Sequence, residues 1–155
     1  MSRAVLIVNS FDGREMYAER LRAQAVEVIE AERPEDALLR IASEPPAVIV
    51  TDMVFTHSRY SGPEFMRAVR NNPACANVLV IVLSGFVRQL DHDVARDAGA
   101  DLFLHTPCDP DMLFRHVTRA LIANRRGKRL AWNWPQAKPD RRVGDRRRRQ
   151  RRRTA

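Results

Sequence analysis

Short runs of apolar residues recur along this chain, each closed by a polar residue and each followed by a stretch with helical spacing. The first run is Ala4 to Val8, closed by Asn9-Ser10. Four to six consecutive apolar, largely β-branched residues read as a strand buried on both faces, as in a parallel sheet covered by helices. Behind it, Arg14 to Gln24 places Met16, Tyr17 and Leu21 at helical spacing, with Asp12 just ahead as a candidate cap. Ala25 to Ile29 alternates enough for a strand near a sheet edge. Pro34, followed by Glu35-Asp36 and then Leu38, Leu39 and Ile41, marks a helix start, and Glu44-Pro45-Pro46 ends it.

The third run, Ala47 to Thr51, delivers Asp52 at its carboxyl end. Met53 to Ser61 is a polar connection, and Gly62-Pro63 opens a helix through Phe65, Met66, Val69 and Arg70 that Asn71-Asn72-Pro73 stops. Val78 to Leu83 is the fourth strand, closed by Ser84-Gly85. A helix from Leu90 to Ala98 ends on Gly99 as its C-cap. Leu102 to Leu104 is a short fifth strand, ending at His105-Thr106-Pro107. The last helix, from about Asp109 to Asn124, is expected to turn Met112, Leu113, Val117, Leu121 and Ile122 inward. Strand and helix thus alternate five times. That alternation predicts a three-layer α/β/α sandwich on a parallel sheet with right-handed crossovers.

Composition divides the chain in two. Apolar residues make up 45%, enough to build a core. The net charge of +8 is an average over unlike parts. Residues 125–155 hold 14 Lys and Arg against two Asp, leaving 13 basic and 17 acidic residues in 1–124. A mildly acidic domain over 1–124 therefore precedes an Arg-rich tail over 125–155, too charged to bury a core and expected to be disordered. No apolar run has membrane-spanning length, and the five apolar residues after Arg3 are too few for a signal peptide. Cys75 and Cys108 lack metal spacing and read as free thiols, so a cytoplasmic location is expected.

A parallel sheet gathers its strand C-termini on one rim, where open α/β sheets place their sites. Here that rim should collect Asn9, Ser10, Asp52, Ser84 and Thr106. One carboxylate ringed by hydroxyls and an amide suits a phosphate or small anion, or is the bare remnant of such a place. No Gly-rich phosphate loop, GxSxG or metal-spaced His pair accompanies it, so no enzyme class is indicated.

The pieces Val5 to Val8, Pro46 to Asp52, Val82-Leu83-Ser84-Gly85, Ala98 to Asp101 and Thr106-Pro107 stand in an order and spacing that resembles the receiver domain of two-component response regulators. The resemblance covers about residues 3 to 124. It implies a flavodoxin-like sheet of order 2-1-3-4-5, a phosphorelay role and a histidine kinase or other signalling protein as partner. A second copy of the chain is a further candidate partner. It also implies that Asp52 is the phospho-acceptor, Ser84 the hydroxyl that moves toward the phosphoryl group and Phe103 the switch aromatic.

Three positions depart from the family's pattern. Asn9 and Ser10 stand where an acidic pair would hold Mg²⁺, and Thr106 stands where a lysine would pair with the phosphoryl group. Mg²⁺ relies on carboxylate charge, so Asp52 by itself predicts weak binding of the ion at best. Two readings stay open for Asp12, a helix cap or a replacement charge. Two also stay open for His57 and Arg59 in the lengthened loop: cations reaching over the site, or a solvated surface that meets a partner. Asp52 itself is either a working acceptor or one whose phosphorylation is impaired.

The tail offers a function of another class. Arg146, Arg147, Arg148, Arg149, Arg151, Arg152 and Arg153 present guanidinium groups that pair with phosphates, so nucleic acid or an acidic protein is a candidate partner. Nothing in the tail offers base-specific readout. Trp132 and Trp134 could stack bases or pack the linker.

Overall fold

A computed structural model of the chain describes residues 4–9, 13–85 and 88–125. Ser10, Asp12, both tryptophans and the arginine tail lie outside the described residues, so the expectations placed on them have no structural counterpart here. The elements run β1 (Val5–Val8), α1 (Gly13–Arg22), β2 (Val28–Ala31), α2 (Pro34–Ser43), β3 (Val48–Thr51), α3 (Gly62–Arg70), β4 (Leu79–Ser84), α4 (Gln89–Ala98), β5 (Leu102–His105) and α5 (Pro110–Arg125). A 3-10 turn at Pro73–Cys75 joins α3 to β4.

All strand pairs are parallel, in the order β2-β1-β3-β4-β5. The fold is flavodoxin-like, as the strand–helix alternation and the resemblance implied. Side chains alternate across each strand, so one apolar run feeds two cores. Val5, Ile7, Val48, Val50, Ile81 and Leu83 meet Tyr17, Leu21, Leu113 and Val117 on the α1/α5 face. Leu6, Val8, Ile49, Val80, Val82 and Phe103 meet Ile41, Phe65, Met66 and Val69 on the other face.

Local signals explain most boundaries. Pro34 occupies the first turn of α2, Ser61 caps α3 by accepting the Glu64 N–H at 3.2 Å, and Gly99 ends α4 at φ 110°. The edge strand β2 departs from expectation: it starts at Val28, not Ala25. Residues 23–25 instead close α1, with the Ala25 N–H bonded to the Arg22 carbonyl and the Val26 N–H to the Leu21 carbonyl. Ala25 sits at φ 61°, so this is a left-handed helix end without the glycine that usually marks one.

Two residues expected on the inner face of α5 are exposed, Met112 (40%) and Ile122 (46%), as are Met16 (48%) and Leu39 (71%) in α1 and α2. The inner positions of α5 include Leu113 and Val117, as expected, and those of α1 Tyr17 and Leu21, with Ala18 and Ala120 buried beside them. Alanines let the helices approach the sheet closely, and apolar periodicity counts them lightly.

Candidate functional site

Strand order reverses direction between β1 and β3, which opens a crevice above their carboxyl ends. A cleft of about 510 Å³ lies there, lined by Asn9, Gly13, Met16, Tyr17, Asp52, Val54, Ser84, Gly85 and Thr106. The structure thus brings together Asn9, Asp52, Ser84 and Thr106 from four different strand ends. Register explains it. Val8 pairs with Thr51 and Thr51 with Val82, so Asn9 and Asp52 leave the sheet side by side. Ser84 pairs with His105, one residue short of Thr106.

Asp52 is 7% exposed, deep for a carboxylate. Its Oδ1 accepts the Met53 N–H at 2.6 Å. Burial pushes its carboxyl above the ordinary carboxylate range, against the N–H of Met53, the hydroxyl of Ser84 and the N–H of Val54, which all favour the charged form. No Lys or Arg lines the cleft among the described residues. Arg14 reaches the end of β1, yet its Nη1 donates to the Asn9 carbonyl at 2.7 Å and its Nε to Glu30 at 3.2 Å. Its charge is held by an ion pair on the far side of the strand.

The loop after Asp52 is pinned from both ends. The Gly62 N–H donates to the Met53 carbonyl at 2.9 Å, and a Cβ on Gly62 would stand 2.2 Å from the Asp52 carbonyl oxygen. Only glycine lets α3 start so close to the aspartate's backbone. Farther along, the Ser58 hydroxyl donates to Glu35 at 2.8 Å and the Arg59 N–H to the same carboxylate at 3.0 Å. His57 and Arg59 do not line the cleft, because this clasp ties their loop to the start of α2. The reading in which either reaches over the site has no support in the geometry.

Phe103 is not in the cleft either. It is 1% exposed, in the core beneath α4, with the His92 ring centroid 4.3 Å from its own. Sequence reasoning missed the apolar wall of Met16, Tyr17 and Val54. Tyr17 Oη donates to the Cys108 carbonyl at 2.8 Å, locking α1 to the loop after β5. The helical spacing of Met16 and Tyr17 was legible, but their position over a strand end depends on where α1 begins. The peptide Thr106–Pro107 is cis.

Among the described residues no three His, Cys, Asp or Glu side chains gather as a metal site, and no helix is long and apolar enough to cross a membrane.

A model of the response regulator receiver domain matches residues 5–118. No curated protein matches the chain. Three solved structures illustrate its likeness. The chemotaxis response regulator CheY4 of Vibrio cholerae is 23% identical with a TM-score of 0.70, covering 77% of this chain and 99% of its own. The BeF3-activated receiver domain of DrrB is 25% identical at TM-score 0.69, covering 79% and 99%. NtrX from Brucella abortus is 24% identical at TM-score 0.73, covering 81% of this chain and 28% of its own. With the strand order, the cleft and the family match in agreement, the chain belongs to the response regulator receiver domains of two-component signalling.

Proposed function

We propose that the chain is a receiver module over 1–124, carrying a basic extension over 125–155, that works by protein contact with phosphoryl transfer to Asp52 impaired. The observation that carries this reading is the charge balance of the cleft: one buried carboxylate, a hydroxyl donor from Ser84, and no lining cation among the described residues. Phosphoryl transfer rests on positioning and on charges that meet the developing negative oxygens. Asp52 and Ser84 supply the positioning. Asn9 and Thr106, neutral side chains at the flanking strand ends, supply little charge.

Receiver domains as a family use Mg²⁺ at an acidic site. The donor set here fits that ion poorly, since Asp52 is the one carboxylate lining the cleft among the described residues and its Oδ1 already accepts an N–H. Mg²⁺ takes oxygen ligands in a near-ideal octahedron and holds to carboxylate charge. Asn9 offers an amide oxygen without that charge.

The reading implies a histidine kinase or other signalling protein as partner, with the output contact made through the last strand and helix, β5 and α5. Incubating the full chain with acetyl phosphate and Mg²⁺, beside Asp52→Asn, tests it by intact mass. The expected outcome is little or no phosphoryl adduct on either protein. A stoichiometric adduct on the wild type and none on Asp52→Asn would establish a working acceptor instead.

A second reading rests on the seven arginines between Arg146 and Arg153, a density that favours polyanions. Removing residues 141–155 should abolish any binding to RNA or DNA that weakens steeply with salt. Affinity unchanged by the truncation would end that reading.

A further inference from the structure

Two histidines that the Asp52 site does not use meet at the α4–β5 edge. His92 (α4) and His105 (β5) place their Nε2 atoms 2.7 Å apart. The two differ sharply in environment: His92 is 3% exposed, while His105 faces solvent. Both rings pack on Phe103, His92 with its centroid at 4.3 Å and His105 edge-on at 5.4 Å. His92 is therefore a lid on a buried aromatic, held by a partner that water can reach.

A separation of 2.7 Å leaves room for one proton between the two nitrogens. One ring donates and the other accepts. His92 Nδ1 is buried without a partner among the described residues. A buried lone pair left unmet costs less than a buried N–H left unmet, so His92 carries its proton on Nε2 and donates to His105. His105 then holds its own proton on the outer nitrogen.

Acid breaks this arrangement by proton counting. Imidazoles take up a second proton in the mildly acidic range. A proton arriving on His105 Nε2 puts two N–H groups into a gap that holds one. His92 must then move its proton to the buried Nδ1, or the rings must part. His105 is exposed and has water available, so parting is the cheaper course.

The charges around His92 do not rescue it. His105 faces it from β5, and Asp91 and Asp93 lie on α4 itself, with Asp91 already paired to Arg88 at 3.0 Å. Helix α3 also packs on α4, and its Arg70 is spent on the Gly99 carbonyl and on Asp101 at the C-terminal end of that helix. Burial disfavours the imidazolium of His92 first, and His105 disfavours it further, against the two aspartates.

We infer that the His92–His105 pair is a proton-operated latch on Phe103: closed when both rings are neutral, opened when His105 gains a proton. Opening releases a charged imidazole to solvent and loosens the cover over Phe103, changing the α4–β5 edge without any event at Asp52.

Nuclear magnetic resonance on the full chain tests this. Imidazole nitrogen shifts report each ring's tautomer, and the Phe103 ring protons, assigned with Phe103→Leu, report the aromatic. Between pH 8 and pH 5 the Phe103 signals should move as the histidine pair takes up its proton. In His105→Gln, a change at an exposed position, the pH-dependent part of the Phe103 shift should be lost. Phe103 signals that stay fixed over that range would overturn the latch. So would a response that survives in His105→Gln. The readout needs no phosphoryl transfer, so its failure says nothing about Asp52.

Discussion

Two carboxylates in this protein are buried to the same depth and treated in opposite ways. Asp52 and Asp101 are each 7% exposed. Asp101 accepts Arg70 Nη2 at 2.9 Å and the Val80 N–H at 2.9 Å. Arg70 spends its remaining donors on the Gly99, Cys75 and Val78 carbonyls, tying α3 to the turn before β4 and the end of α4. Asp52 accepts hydrogen bonds but faces no cation in its cleft among the described residues. Equal burial therefore marks a structural post in one place and a site in the other. What separates them is whether the charge is answered.

Removing the answer at Asp101 should have the largest effect. Arg70→Met leaves a buried carboxylate and several carbonyls unmet, and breaking such a pair typically costs about 3–5 kcal/mol. Urea unfolding should show the midpoint falling accordingly. A loss within about 1 kcal/mol, the range of surface pairs, would mean that Asp101 and Asp52 are less different than their surroundings imply.

Next in size is a change beside Asp52 that leaves its charge alone. Gly62→Ala forces a Cβ against the Asp52 carbonyl oxygen, 2.2 Å away, and against Met53 Cα at 2.6 Å. Both atoms are backbone and cannot rotate away, so a cost of about 1–3 kcal/mol is expected. Amide shifts of Met53 and Val54 should change with it. Wild-type stability and unchanged shifts would show that the loop gives way freely.

How much of this contrast could be read from sequence depends on the range of the contacts. Apolar runs ending in Asn9, Asp52 and Ser84 marked the strands, because burial on both faces leaves a local trace, while the sheet order came from the family resemblance. The rim followed, since a parallel sheet must collect those ends. Arg70 was visible only as a helix residue, because its partners at Cys75, Val78, Gly99 and Asp101 come from three later segments. The His92–His105 pair was equally hidden. The two rings stand 13 positions apart in the chain, and only the packing of α4 on β5 makes them neighbours. The start of β2 was misread because Ala25 takes a conformation for which glycine is the usual sign.

Exchanging each carboxylate for its neutral isostere gives the two sites opposite signs. Asp101→Asn strands the Arg70 charge and should destabilise, by about 1–3 kcal/mol. Asp52→Asn removes a buried charge that lacks a cation and should stabilise, by on the order of 1 kcal/mol. Thermal unfolding of the two variants beside the wild type measures both. Destabilisation by Asp52→Asn would show that the hydrogen bonds from Met53, Ser84 and Val54 outweigh the burial cost.

The gain from Asp52→Asn should also depend on pH, and this is the smallest effect expected. Burial raises the folded pKa of Asp52 above its unfolded value. Well above the folded pKa both states carry the charge, and the wild type bears the full cost of burying it. As pH falls through the folded pKa, the folded state takes up a proton while the unfolded chain stays ionised. The folded state then binds more protons than the unfolded one, so wild-type stability rises relative to the variant. Once pH reaches the unfolded value, about 3.9, the difference stops changing. Denaturant titrations of both proteins from pH 7 to pH 4 should show the advantage of Asp52→Asn fullest at pH 7 and shrinking toward pH 4. A difference that holds constant over that range would mean that Asp52 is not strained by burial.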